Sequence, residues 1–250
     1  MIRIEGLHHS ISGAPILRGI DLTIPQGGVT ALIGPNGAGK STLLSLIARI
    51  LKIQKGQIEV GGKRIGQVSD RDLAQTLAVL AQATHVSARL RVEDLVGFGR
   101  YPWHGGRPGA ADRAQVENAL ARFDLTGLRH RFLDEISGGQ RQRAFVAMAY
   151  AQDTPYLLLD EPLNNLDIAA ARDLMRLVRD MADQDGRTIV VVLHDINYAT
   201  GFADHLVVLK DGQVAAEGQP GQIVTAALLE QVFGTGATVK VLDGRPVVLV

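Results

Sequence analysis

Alternating and continuous apolar segments follow one another in an order that predicts the architecture. Residues 1 to about 30 read as strands, separated by the turn-forming stretches Ser12-Gly13-Ala14-Pro15 and Pro25-Gln26-Gly27-Gly28. They lead into a largely apolar run over 29–33 that reads as a strand. From 40 to 51 Leu, Ile and Ala recur at helical spacing. A hairpin follows over 58–65 around Gly61-Gly62, and Ser69 with Asp72 at capping-box spacing predicts a helix over 69–80. Residues 83–154 turn helical, with segments near 92–98, 111–123 and 141–152. Strands and helices then alternate again: a strand over 156–160, a helix over 168–181, a strand over 188–193 and a hairpin turning at Asp211-Gly212. That alternation predicts a parallel α/β sheet interrupted by one helical insertion. A last hairpin, over 237–250 and turning at Asp243-Gly244, suggests no function.

Length and composition narrow the partners more than the fold. A chain of 250 residues with 46% hydrophobic residues can bury one large α/β core carrying one inserted subdomain. No apolar stretch approaches the roughly 18 residues of a membrane span. Met1-Ile2-Arg3-Ile4 runs straight into a strand pattern, so no secretion signal is expected before the fold. The 26 basic and 26 acidic side chains cancel without a basic cluster, so nucleic acid is not an implied partner. The lack of cysteine excludes disulfides and thiolate metal sites.

Three segments carry chemistry. Gly34-Pro35-Asn36-Gly37-Ala38-Gly39-Lys40-Ser41-Thr42 fits a phosphate-cradling loop between a strand and a helix. Its glycines let backbone N–H groups turn toward an anion, and the new helix aims its positive end at the same place. Lys40 is expected to reach the β- and γ-phosphates, and Ser41 to ligate magnesium. Tyr156-Leu157-Leu158-Leu159-Asp160-Glu161 is an apolar run ending in two carboxylates, suited to a strand whose C-terminal end opens on the site. Asp160 would hold magnesium, and Glu161 would orient and deprotonate the attacking water. In Ile136-Ser137-Gly138-Gly139-Gln140, Ser137 is placed to cap a second helix whose start also faces an anion. If those two helix starts lie far apart in one chain, a head-to-tail pair of chains brings them onto one nucleotide.

These residues resemble the ATP-binding cassette (ABC) family over nearly the whole chain. The resemblance implies a P-loop NTPase, RecA-like α/β core with an N-terminal antiparallel β subdomain and an inserted α-helical subdomain. It divides a single 1–250 domain into 1–82 and 155–250 for the core and 83–154 for the signature-bearing helices. It adds Gln82 as a magnesium-sensing glutamine that relays movement to a permease, and Asn165-Leu166-Asp167 as a loop touching the opposite subunit. It also makes His194 a switch at the γ-phosphate. Three positions depart from the commonest pattern: Ile136 stands for Leu, Leu163 for Thr, and Ile11 for an aromatic that stacks on adenine. Stacking by His8 or His9 is one reading, and polar residues on an exposed strand face the other.

The layout also bears on the kind of cassette. Only 97 positions separate Lys40 from Ser137, too few for the long coiled-coil insertion of DNA-repair relatives. Membrane spans fused to the cassette, as in many exporters, are not found. A free-standing cassette docking on two permease subunits, at the cytoplasmic face of a bacterial inner membrane and served indirectly by a substrate-binding protein, fits best. The segment Arg91-Val92-Glu93-Asp94-Leu95-Val96-Gly97-Phe98-Gly99-Arg100-Tyr101-Pro102-Trp103 is similar to ferric-siderophore importer cassettes. So are Leu193-His194-Asp195-Ile196-Asn197 and Pro162-Leu163-Asn164-Asn165-Leu166-Asp167. Haem and cobalamin importers share much of this vocabulary, and Tyr101 and Trp103 are expected near a permease-facing surface or in local loop packing. A regulatory ATP-binding module without turnover is the rival class, opposed by the presence of Glu161, His194 and Gln82 together.

Overall fold

In the computed structural model, which describes residues 1–81 and 89–249, a hairpin of β1 (Ile2–Ile11) and β2 (Ala14–Ile24) precedes the central strand β3 (Gly28–Ile33) and helix α1 (Lys40–Ile47). Strands β4 (Lys55–Val60) and β5 (Lys63–Arg64), the short helix α2 (Asp70–Ala74) and strand β6 (Leu77–Leu80) follow. Then come α3 (Val92–Phe98), α4 (Tyr101–His104), α5 (Ala110–Arg122) and α6 (Gly138–Ala151). The remainder is β7 (Tyr156–Asp160), α7 (Ile168–Asp183), β8 (Thr188–Val192), α8 (Ile196–Phe202), β9 (His205–Lys210), β10 (Gln213–Gly218), α9 (Pro220–Ile223), α10 (Ala226–Phe233), β11 (Thr238–Leu242) and β12 (Arg245–Leu249).

The main sheet has the order β10-β9-β3-β8-β7-β6, parallel throughout except for the antiparallel edge strand β10. A second, antiparallel sheet runs β2-β1-β4-β5. Alternate residues of the central strands divide between two apolar clusters. Ala31, Leu157, Leu159, Ile189, Val191, Leu206 and Val208 point into a cluster shared with α3, α5, α6 and α7. Leu32, Leu158, Val190, Val192, Val207 and Leu209 point into one shared with α1 and the antiparallel sheet. The continuous apolar runs are therefore explained by burial on both faces. Each fully buried aliphatic side chain contributes about 1.5–3 kcal/mol, so no single contact dominates the core.

Three expectations need correction. The helix from Lys40 ends at Ile47, not 51, because Arg49 turns left-handed with φ 57°. Its guanidinium is engaged elsewhere, donating to the Val68 carbonyl and pairing with Asp70. The expected helix over 69–80 is one short helix, capped as foreseen by Ser69 accepting from the Asp72 N–H, followed by β6. Leu77–Leu80 pairs in parallel with Tyr156–Leu159, and that pairing, invisible in local periodicity, overrides helix propensity. His9 is not on an exposed face: it is 5% exposed, and its Nδ1 has no hydrogen-bond partner among the described residues.

Candidate active site

Three adjacent strands, β3, β8 and β7, release their chains at the same end of the sheet. β3 runs into the glycine loop, β7 ends at Asp160-Glu161, and β8 is followed by Leu193 and His194. Parallel register therefore gathers residues that are more than 100 positions apart in sequence. This is the usual ligand end of a parallel sheet.

Glycine is required in the loop by neighbours as well as by any ligand. A Cβ on Gly34, at φ 147°, would lie 2.1 Å from the Leu209 carbonyl oxygen. On Gly39, at φ 98° and preceding α1, it would lie 2.6 Å from Leu17. Asn36 and Gly37 are exposed, whereas Ala38 is buried and donates its N–H to the Pro35 carbonyl at 3.2 Å. Thr42, half-buried, follows Ser41 in the first turn of α1.

Lys40 is 5% exposed, and its ammonium donates to the Gly34 and Pro35 carbonyls at 2.8 and 2.9 Å. Burial lowers its pKa, while the charges of Glu161 and Asp160 oppose that change. The Ser41 hydroxyl donates to Asp160 Oδ1 at 3.0 Å. Asp160 is itself 5% exposed, and its carboxyl is held above the usual carboxylate range, first by burial. The Ser41 bond and the neighbouring Lys40 and His194 work against that rise, and Glu161 adds to it.

Glu161 takes a left-handed backbone, φ 51°, a conformation that costs a non-glycine residue on the order of 1 kcal/mol or more. The turn aims its side chain back at the site. His194 Nε2 donates to Glu161 Oε1 at 2.7 Å, and the Asn164 amide donates to Oε2 at 2.5 Å. Asn164 was not assigned a role from sequence; its i+3 spacing from Glu161 was the available signal.

A second group lies at the start of α6. Ser137 caps that helix by accepting from the Gln140 N–H at 3.2 Å, and Gln140 returns the bond to the Ser137 N–H at 3.0 Å. Gly138 is exposed, while Gly139 packs beneath the loop that opens α7. A Cβ there would meet Ala170 at 3.3 Å and Leu166 at 3.9 Å. Asp167 caps α7 by accepting from Ala170 N–H at 2.8 Å. Helices α1 and α6 contribute to different apolar clusters on opposite faces of the main sheet, so their N-termini do not share one pocket by packing. Gln82 lies outside the described residues.

Ile11, at the tip of the first hairpin, is 46% exposed. Of its two candidate substitutes, buried His9 cannot offer a ring face to an external base. His8 remains half-buried with Nδ1 3.0 Å from the Gly6 carbonyl.

Comparison with known proteins gives a consistent result. The family model described as ABC transporter matches residues 17–164. The petrobactin import ATP-binding protein FatE of Bacillus anthracis is 45% identical over 235 residues, covering 94% of each chain. The hemin import ATP-binding protein HmuV of Shewanella denitrificans is 39% identical over 238 residues, covering 93% of each. A dimeric ATP-binding cassette bound to ADP and Pi in a post-hydrolysis state matches with TM-score 0.77 and 27% identity, over 88% of this chain and 98% of that one. An inward-facing putative metal-chelate type ABC transporter matches with TM-score 0.85 and 26% identity, over 99% and 95%.

Proposed function

Because the chain belongs to the ABC transporter family, we propose that it is the ATP-hydrolysing subunit of a bacterial importer for an iron chelate of the ferric-siderophore kind. The observation that carries the catalytic part is the convergence of Lys40, Ser41, Asp160, Glu161 and His194 at the C-terminal ends of three neighbouring strands. The similarity to petrobactin import proteins supports the cargo. The similarity to a hemin import protein keeps haem as the second reading.

The residues have separable tasks. Backbone N–H groups of the 34–42 loop, Pro35 having none, and the Lys40 ammonium bind the triphosphate, whose oxygens are stronger acceptors than the carbonyls Lys40 now contacts. Ser41 Oγ and Asp160 Oδ1 are hard oxygen donors 3.0 Å apart, a set that fits magnesium, which takes few protein ligands beside phosphate and water. Such an ion, held by these residues, would supply charge neutralisation for the triphosphate. Glu161 accepts a proton from the attacking water, while His194, bonded to that carboxylate through Nε2, orients it beside the γ-phosphate. Water oxygen bonds to the γ-phosphorus as the bond to ADP breaks, leaving ADP and phosphate.

The anion-facing start of α6, on the opposite sheet face from α1, supports closure by a second copy. In that arrangement Ser137, Gly138, Gly139 and Gln140 of one chain reach the nucleotide of the other, beside Asp167. Residues 1–82 and 155–250 act as the core in this scheme, and 83–154 as the lever. The exposed aromatics Tyr101 and Trp103 on α4, with Phe98, suit docking on a permease subunit at the cytoplasmic membrane face. Among the described residues no helix is long and apolar enough to cross a membrane.

Steady-state ATPase measurement on the purified chain tests the enzymatic half against a binding-only module. Glu161→Gln is expected to lower turnover roughly 100- to 10,000-fold while ATP stays bound; near-normal hydrolysis would remove Glu161 from its role. Stimulation of the assembled transporter by a binding protein loaded with ferric siderophore, haem or cobalamin decides the cargo.

A further inference from the structure

The terminal hairpin, without a role in the reading above, is bound to the segment that carries His194. Strands β11 and β12 pair only with each other among the described residues, and their packing partners include α8 and α9. An isolated two-stranded hairpin is marginal in water, so this one depends on the helices beneath it. Pro246 and Val248 are its buried face toward them.

The most directional of these contacts is made by Asn197. Its amide nitrogen donates to the Val248 carbonyl at 3.0 Å, and its amide oxygen accepts from the Val248 N–H at 2.8 Å. In a strand, one residue's N–H and C=O face the same side, so the side chain acts as a one-residue neighbouring strand. Asn197 stands three positions after His194, in the first turn of α8. Asp195 Oδ1 fixes that turn by accepting from the Asn197 N–H at 2.7 Å and the Tyr198 N–H at 3.2 Å. The Tyr198 hydroxyl reaches the Ile168 carbonyl at 3.2 Å, just past Asp167. On the other side, Leu193 N–H donates to the Leu32 carbonyl at 3.2 Å. His194 is thus suspended between the central sheet and a helix whose outer side is tied to the hairpin.

We propose that Asn197 is a positioning residue for His194, locking α8 to the β11–β12 hairpin so that the imidazole is held at Glu161 for hydrolysis. This rests on the hydrolytic reading of Glu161 and His194. A hydrogen-bonded anchor of this kind bears on geometry at the reacting phosphate, not on the loop that binds the triphosphate, so turnover and affinity should separate.

The test uses the full chain and two variants. Asn197→Leu removes both bonds; Asn197→Asp keeps the acceptor for Val248 N–H and loses the donor. Turnover, ATP dissociation constant, melting temperature and amide exchange at Val248 are measured for each. Asn197→Leu is expected to lower kcat roughly tenfold or more, the effect of a small misplacement at a reacting centre, with ATP affinity within about twofold and faster exchange at Val248. Asn197→Asp should fall between it and the unaltered chain. Unchanged kcat despite lost Val248 protection overturns the proposal, as does unchanged exchange in Asn197→Leu. A parallel fall of kcat, affinity and melting temperature also overturns it, marking a role in stability alone. An unaltered chain without ATPase activity overturns this inference together with the hydrolytic reading. Hydrolysis retained in Glu161→Gln removes the base assignment and, with it, the reason for holding the imidazole at Glu161.

Discussion

Replacing Asp160 by Asn should make the nucleotide-free protein more stable while making it inert. The carboxylate is 5% exposed, next in sequence to Glu161, with the Ser41 hydroxyl as its side-chain donor. Burial comes first in holding its pKa above the unfolded value of about 3.9. The folded chain therefore binds the proton more tightly than the unfolded chain. Between the two pKa values it carries more protons, so stability falls as pH rises through that window, and the deficit is complete above it. Asn accepts the same Ser41 bond without the charge. Relief of such a functional-site conflict is typically worth about 1 kcal/mol, or about 2–4 °C in melting temperature for a chain near this size. Lys40 loses one favourable charge in exchange, but Asp160 is the smallest of the causes acting on it. Thermal unfolding of both proteins without nucleotide, from pH 4 to 8, measures the effect. The gain should be larger at pH 8 than at pH 4 and shrink toward zero as pH falls to the unfolded pKa of about 3.9. A lower melting temperature at pH 7.5, or a gain that grows on acidification, would refute the reasoning. The same variant should lose the magnesium dependence of ATP binding, read by titration with and without the ion.

Lys40→Ala should abolish tight ATP binding, since it removes the only basic side chain of the loop; unchanged affinity would contradict the phosphate-loop assignment. Asn164→Ala removes the donor to Glu161 Oε2 and should lower kcat about fivefold, the effect of about 1 kcal/mol, with ATP affinity retained. Gly99→Ala places a Cβ 2.0 Å from the Met148 carbonyl oxygen, where α3 crosses α6. Such overpacking costs about 1–3 kcal/mol, so a melting temperature equal to that of the unaltered chain would show that the two helices separate freely.

What sequence made legible was the set of candidate site residues and the elements with strong local signals. The loop around Lys40, the carboxylates ending β7 and the Ser137 cap each combine residue type with a short fixed spacing. The hairpin turns Asp211-Gly212 and Asp243-Gly244 are the same case: in both, Asp and Gly take positive φ. Features set by distant residues were missed. Leu77-Ala78-Val79-Leu80 becomes a strand only because β7 lies beside it, and His9 is buried by a sheet whose order no local pattern specifies. The Asn197–Val248 bridge spans 51 positions and leaves no periodic trace.

The sorting of central-strand residues into two apolar clusters has a consequence for how this protein tolerates change. Because both faces of β7, β8 and β3 accept Leu, Ile and Val, greasiness alone scarcely distinguishes one alignment of these strands from another shifted by a single position. Such a shift would, however, swing Asp160 and His194 to the wrong side of their rims. Deleting one residue within β8 should therefore leave a chain that still collapses and looks folded by bulk measures, yet has lost its reaction centre. In this sheet, alignment is policed by what stands at the strand tips.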